Sequence, residues 1–274
     1  MVTRVLVLGS TGMLGLAVCQ RLRSMGLEVL SLDKTRLDAR KPNLQLIVDS
    51  AAHAVINALG MTNRRLDQPE ADFLRVNSLF PRLLADVCEE QRLPLIHIST
   101  DCVFKGDAGP YDEASPALVD DLYGSSKLLG EPRNAMVIRT SIIGPELHNH
   151  YSLMCWFLKQ TDPVRGFCNH HWNGVTTYEL ARVLGTILTR DMWQTGLWHV
   201  HAEDLTKHNL LQLIAKTFGS STQIVPVDDV QARDTRLRTL HPAFLQALNI
   251  APMSEQLQQI RSLSDALGRW RVIP

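Results

Sequence analysis

The chain has 274 residues, 45% hydrophobic and 20% charged, which is long enough for one elaborate domain or two unequal ones and too apolar for a disordered polymer. Lys plus Arg and Asp plus Glu number 28 each, so no global field points to nucleic acid or an anionic membrane surface. There is no apolar run of about 18 residues and no signal-peptide pattern at the start, and Cys19, Cys88, Cys102, Cys155 and Cys168 are scattered without a CxxC, so a cytoplasmic protein with reduced thiols is expected.

Val2 to Leu8 is a short apolar run of the kind buried on both faces of a parallel sheet. "GSTGMLG" follows, then a helical pattern in which Leu14, Ala17, Val18, Leu22 and Met25 recur at three and four, stopped by Gly26. Leu27 to Leu32 reads as a second strand, ending at Asp33. After an abbreviated unit with a helix near Asn43 to Ala51, Ala54 to Ala58 reads as a strand. A long helix is predicted over Pro69 to Gln91 with a pause near Phe80-Pro81. Leu95 to Ser99 and Ala135 to Thr140 read as strands flanking a helix around Ser125 to Glu131. Beyond Gly144-Pro145 the periodicity weakens, then returns as a helix from Tyr178, a strand in "GLWHVHA", and a helix from Leu205 to Phe218 stopped by Gly219. Strands alternating with helices predict an α/β fold, a doubly wound parallel sheet with right-handed crossovers.

A strand, three glycines and a helix start are the parts of a dinucleotide site. Gly9 permits a tight turn, Gly12 lets backbone approach a pyrophosphate, and Gly15 lets the helix pack on the strand. Gly9, Thr11, Gly12, Met13 and Leu14 are therefore candidate cofactor contacts. The spacing is GxxGxxG, and a glycine-rich turn without ligand is the plain alternative. Asp33 stands where a carboxylate can bind an adenosine ribose, while Lys34 and Arg36 could pair with a 2′-phosphate. NADH and NADPH both remain open.

In "YGSSKLLGE", Tyr123 and Lys127 share one helical face. A nearby ammonium favours phenolate, which predicts a tyrosine tuned for proton transfer at neutral pH. Thr100, at the end of its strand, offers a hydroxyl beside a substrate carbonyl. A YxxxK pair arises readily by chance; the order glycine loop, "ISTD", YxxxK carries the argument.

That order resembles the extended short-chain dehydrogenase/reductases, and within them the dTDP-4-dehydrorhamnose reductase family. The likeness rests on "GSTGMLG", "VINALGMT", "VNSLFPRLLA", "HISTDCVFKGDAGPYDE", "YGSSKLLGE" and "VIRTSIIGPE", with weaker matches in "WNGVTTYELARVL", "KHNLLQLIAKTFG" and "RDTRLRTLHPAFLQALNI". It implies a Rossmann-type cofactor domain over residues 1–145, to which 169–195 return. A smaller irregular α+β substrate-binding region, from 146–168 and 196–274, would lie on the C-terminal side. It further implies reduction by NADPH or NADH of the 4-keto group of a nucleotide-linked 6-deoxysugar in deoxysugar and polysaccharide biosynthesis. Tyr123 would then be the proton donor, with Lys127 and Thr100 completing the triad. Ala58, Leu59, Gly60 and Thr62 would pass near the cofactor, with Asn77 supporting that loop. Asp101, Cys102, His148, Asn149 and Trp172 would face the substrate.

The sequence departs from the family pattern in three places. Cys102 stands where tyrosine is usual in "STDYVF", "NALGMT" replaces "NAAAYT", and "GVTT" replaces a glycine-x-proline-threonine segment. The last two changes border the cofactor and sugar sites, so a sugar leading to 6-deoxytalose fits as well as rhamnose. The clusters "HNH" (His148–His150), "NHH" (Asn169–His171) and "HVH" (His199–His201) lack cysteine or carboxylate partners in pattern, so no metal is expected. Apolar positions of the long helix, among them Phe73, Leu74, Leu83, Leu84 and Val87, predict core or a homodimer face. Two rivals to the reductase stay open: a non-catalytic dinucleotide-binding regulatory subunit, and a nucleotide-sugar epimerase of the same superfamily.

Overall fold

A computed structural model describes residues 2–62, 68–119, 121–146 and 152–267. Its centre is a parallel six-stranded sheet in the order β10-β5-β4-β3-β1-β2. The strands are β1 (Arg4–Leu8), β2 (Glu28–Leu32), β3 (Ala54–Asn57), β4 (Leu95–Ile98), β5 (Met136–Arg139) and β10 (Gly196–His199). The first helix, α1 (Met13–Ser24), carries the chain from β1 to β2 on one side; the chain then steps back over β1 to β3 and continues the other way. The carboxyl ends of β1 and β3 therefore meet at the point where the winding reverses, the place where such sheets open a crevice. Gly196–His199, grouped by the sequence with the substrate region, hydrogen-bonds to Met136–Arg139 as an edge strand of this sheet.

Alternation along the strands sets the two cores. Val5 and Val7 face α1 and α7 (Thr177–Thr189), with Leu14, Val18, Leu22, Leu180 and Leu184. Leu6 and Leu8 face the other way, onto α2 (Gln45–Val48) and α4 (Phe80–Glu90), with Ile47, Phe80 and Leu84. Leu84 is buried in this layer, Phe73 is buried, Leu83 and Val87 are half-buried, and Leu74 is exposed.

The predicted long helix exists in three registers: α3 (Glu70–Phe73), a π-helical turn at Leu74–Leu79, and α4. Pro81 carries no N–H for the carbonyl of Asn77 four residues back, which accounts for the wider turn at that point. The next helix, α5 (Leu122–Leu129), lies against this π turn.

The remaining chain forms small sheets. β6 (Ile142–Ile143) pairs β9 (Val175–Thr176), β7 (Val164–Phe167) pairs β12 (Ile224–Val227), and β8 (His170–Trp172) lies between β11 (Leu205–Thr206) and β13 (Arg233–Asp234). The short α6 (Leu153–Phe157) follows residue 152, and α8 (Lys207–Phe218), α9 (Pro242–Leu248) and α10 (Met253–Leu267) complete the order. Leu205 and Thr206, predicted to open a helix, pair with Trp172 and His171 instead; Thr206 then caps α8 through its side chain. Gly219 ends α8 at φ +73°, the left-handed cap that glycine adopts without strain.

A clasp holds this part to the sheet. Tyr111 N–H donates to Arg236 O at 2.8 Å and Arg238 N–H to Tyr111 O at 2.7 Å. Glu113 accepts from His199 N, Thr239 Oγ1 and Leu240 N at 2.7–2.9 Å. Asp204 takes both Arg236 and Arg238.

Candidate functional site

The glycine loop leaves β1 at Gly9, which has φ +78° and donates its N–H to Leu32 O at 2.9 Å. Gly12 is the N-cap of α1 and supplies no side-chain cap. The first-turn N–H groups at Met13 and Leu14 thus sit at an open, electropositive helix end, with Thr11 beside them. A Cβ on Gly15 would fall 2.1 Å from Gly9 O, so only glycine lets α1 close on the loop. This cradle fits a pyrophosphate.

Across the loop, the exposed turn after β2 begins at Asp33. One oxygen, Oδ1, accepts from Thr35 N (2.9 Å), Thr35 Oγ1 (2.6 Å) and Arg36 N (3.2 Å). The Thr35 hydroxyl, above all, holds this carboxyl below the usual range. Lys34 and Arg36 are exposed beside it.

Ala58, Leu59 and Gly60 follow β3 at the winding reversal. A Cβ on Gly9 would meet Ala58 O and Leu59 N at 3.1 Å, so the two loops abut. Asn77, presented by the π turn and buried, grips the next residue twice: Met61 N–H donates to its Oδ1 at 2.8 Å and its Nδ2 donates to Met61 O at 3.0 Å. The same Nδ2 also donates to Ser126 Oγ at 3.0 Å, tying the loop to α5. Thr62 is exposed just beyond.

Helix α5 begins at Asp121, whose Oδ1 accepts Gly124 N–H at 2.9 Å. A Cβ on Gly124 would lie 2.3 Å from Cys102 O. Glycine there allows the helix to press onto the Thr100–Cys102 turn and brings Tyr123 beside Thr100, whose hydroxyl acts to lower the phenol's pKa. Thr100 also accepts Cys102 N–H at 3.1 Å and lies 3.3 Å from Asp101 Oδ1. Lys127, only 4% exposed, donates from Nζ to Ile98 O at 2.7 Å, and burial lowers its pKa to about 8 against partial support from Glu131.

The expectation for Tyr123 needs correcting. Its phenol is pushed above the ordinary value rather than below it. Burial comes first, followed by Cys102 and, further out, Asp101 and Asp121, with Thr100 opposing. The Lys127 ammonium donates to Ile98 O and does not outweigh these effects in the resting protein. Tyr123 and Cys102 are ringed by protein yet keep solvent-accessible surface, as groups on the floor of a crevice do.

Of the candidate substrate residues, Asp101 is 5% exposed; burial raises its carboxyl, opposed by Lys207 and by hydrogen bonds with Ser141, Thr235 and Thr100. The Cys102 thiol is pushed up to about 12 by enclosure and by Asp101. Trp172, expected to line the pocket, is 3% exposed in the main core, with Lys207 Nζ 4.9 Å from its ring centre. His148 and Asn149 lie outside the described residues. Among the described residues no cluster of metal-ligating side chains occurs. Cavities of about 350 and 370 Å³, one between α7 and α10 around Arg182 and one between α1, α7 and α10 around Arg23, contain none of the candidate cofactor, catalytic or substrate residues.

Sequence reasoning missed the support behind Lys127. Glu131 accepts Ser99 Oγ at 2.6 Å and both Nε and Nη2 of Arg139, at 2.9 and 2.7 Å. The spacing of Glu131, four after Lys127 in the helix predicted around Ser125 to Glu131, is the signal that could have found it.

Comparison with known proteins agrees with this fold. The spore coat polysaccharide biosynthesis protein SpsK of Bacillus subtilis is 27% identical over 82% of this chain and 83% of its own. A dTDP-4-keto-6-deoxy-D-glucose reductase of Streptomyces niveus is 25% identical over 87% and 88%. The dTDP-4-dehydrorhamnose reductase of Bacillus anthracis, solved in complex with NADP, shares the fold at a TM-score of 0.80, with 19% identity over 96% of this chain and 100% of that one. The model of the RmlD substrate binding domain matches residues 3–254. The chain belongs to that family, the one its motifs resemble.

Proposed function

We propose that this protein is a reductase that uses NADPH or NADH to convert the 4-keto group of a nucleotide-linked 6-deoxyhexose to a hydroxyl, for deoxysugar and polysaccharide biosynthesis. The observation that carries the reading is the meeting of Thr100, Tyr123 and Lys127 at the carboxyl edge of the sheet, beside a glycine loop left uncapped. The names of the Streptomyces and Bacillus relatives support the substrate class.

Residues Gly9–Leu14 would hold the dinucleotide's pyrophosphate, and the bound nicotinamide would supply the hydride for the carbonyl carbon. Tyr123 gives its proton to the carbonyl oxygen as negative charge grows there. A raised phenol suits that task, because it keeps its proton until a stronger base appears. Lys127, charged below about pH 8, supplies the cation that offsets the resulting phenolate and has N–H groups free of Ile98 for ribose hydroxyls. Asp101 holds Thr100 in place, and a protonated Cys102 thiol is neutral toward substrate.

The test is oxidation of NADPH and NADH with a panel of nucleotide-linked 4-keto-6-deoxysugars. Turnover of one of them, lost in Tyr123→Phe, supports the reading. Dinucleotide binding with no turnover on any would favour a regulatory subunit. Interconversion of two sugars without net oxidation of the dinucleotide would favour an epimerase.

A further inference from the structure

Two polar side chains are sealed beneath the crevice. Asn57 ends β3 and His97 stands opposite it in β4; both are 0% exposed. They share the sheet face of Val55 and Leu95, the face that α4 covers. Asn57 Nδ2 lies 3.1 Å from His97 Nδ1, and Asn57 Oδ1 accepts the N–H of Leu59 at 3.1 Å.

The second contact settles the first. Only the amide oxygen can accept from Leu59, so the amide NH₂ faces the ring and donates. Nδ1 must therefore carry the lone pair, and the ring proton sits on Nε2. That N–H is buried and unpaired. A second ring proton would turn a donor onto a donor; burial, and then the Lys127 charge, also hold the imidazole well below its ordinary value. A leucine here would spare the unpaired N–H and strand the Asn57 amide instead.

What this chain of bonds fixes is the turn at Ala58–Gly60. The turn abuts Gly9 on one side, and a Cβ on Gly60 would lie 4.0 Å from Lys127 Nζ on the other. It thus lies between the glycine loop and the Lys127 ammonium. We propose that His97, as its Nε2–H tautomer, is a positioning residue for dinucleotide binding, acting through Asn57 on the Ala58–Gly60 turn. This deepens the proposed function and rests on it.

The test compares His97→Asn, which places an acceptor oxygen near the site of Nδ1, with His97→Leu, which has none, and His97→Gln, whose amide reaches the Nε2 position instead. Three quantities are read: hydrogen exchange of the Leu59 amide in the free protein, NADPH affinity by fluorescence, and melting temperature. In His97→Leu, Leu59 exchange should quicken and NADPH affinity fall, each about tenfold, while His97→Asn stays within about threefold on both even where the two melt alike. If His97→Leu does not fold, His97→Gln takes its place against His97→Asn. Equal exchange and affinity in the acceptor-bearing and acceptor-lacking variants overturn the inference, as does an Nδ1-protonated ring in the nitrogen spectrum of the wild type. Wild-type protein that binds no dinucleotide overturns the functional reading and the positioning role together. An unchanged Leu59 amide in protein that does bind overturns the inference alone.

Discussion

Gly130 and Asn77 meet backbone to backbone: a methyl group on Gly130 would stand 1.7 Å from the Asn77 carbonyl oxygen. The end of α5 is thereby clamped to the π turn, with Ser78 Oγ donating to Ser126 O at 2.7 Å and Arg82 Nε to Leu129 O at 2.6 Å. Gly130→Ala must push these elements apart. Overpacking of this kind costs about 1–3 kcal/mol, so melting should fall by roughly 5 °C by calorimetry. Weakened dinucleotide binding should accompany it, because Asn77 also holds Met61.

Tyr123→Phe removes one oxygen and little volume. Turnover should drop by about 10²-fold or more, the usual worth of a positioned proton donor. NADPH affinity, measured by fluorescence, should stay within about threefold, since the uncapped cradle and Lys127 remain. A loss of affinity equal to the loss of turnover would place the phenol in binding rather than proton transfer.

The pH dependence follows from Lys127. Its ammonium is present below about pH 8 and lost above it, so kcat/KM for reduction should fall as pH rises through that value. Lys127→Arg, if it folds, should move the falling limb to higher pH. Folding shows the opposite slope. Burial disfavours the charged lysine, so the unfolded chain binds more protons between about 8 and 10.5 and this group's contribution to stability rises with pH across that window.

Dinucleotide preference should follow the turn after β2. Asp33 spends Oδ1 on Thr35 and Arg36, while Lys34 and Arg36 stand exposed. Arg36→Ala should raise KM for NADPH about tenfold and leave KM for NADH within about twofold. Equal effects on both cofactors would remove the 2′-phosphate from the argument.

Cys102 should be a slow thiol. With its pKa near 12, the thiolate is scarce at pH 8, and alkylation should run at least about tenfold slower than that of a free cysteine. Peptide mapping after iodoacetamide treatment measures this directly.

The nucleotide half was legible because its signals are local. Gly9, Gly12 and Gly15 are spaced by what one turn and one helix start require, and Tyr123 and Lys127 by the helix period. Other features depend on distant partners. Trp172 reads as a pocket wall until β8 is seen between β11 and β13 with the indole in the main core. The Tyr123 phenol reads as acidified until the Lys127 ammonium is seen turned to Ile98, with Asp101 and Asp121 nearby. Asn57 and His97 look like ordinary strand residues, forty positions apart, until the register pairs them. The π turn had a local sign in Pro81, read only as a pause.

The edge strand Gly196–His199 has a bearing on biogenesis. On a ribosome, the first 145 residues emerge with the motifs of the nucleotide site, yet the outer side of β5 stays bare until residue 199 has cleared the tunnel. Over that interval a nascent chain carries an open strand of Met136–Arg139, a ready template for pairing with a neighbour. The length of that interval is set by the distance in sequence between β5 and β10, not by the catalytic motifs.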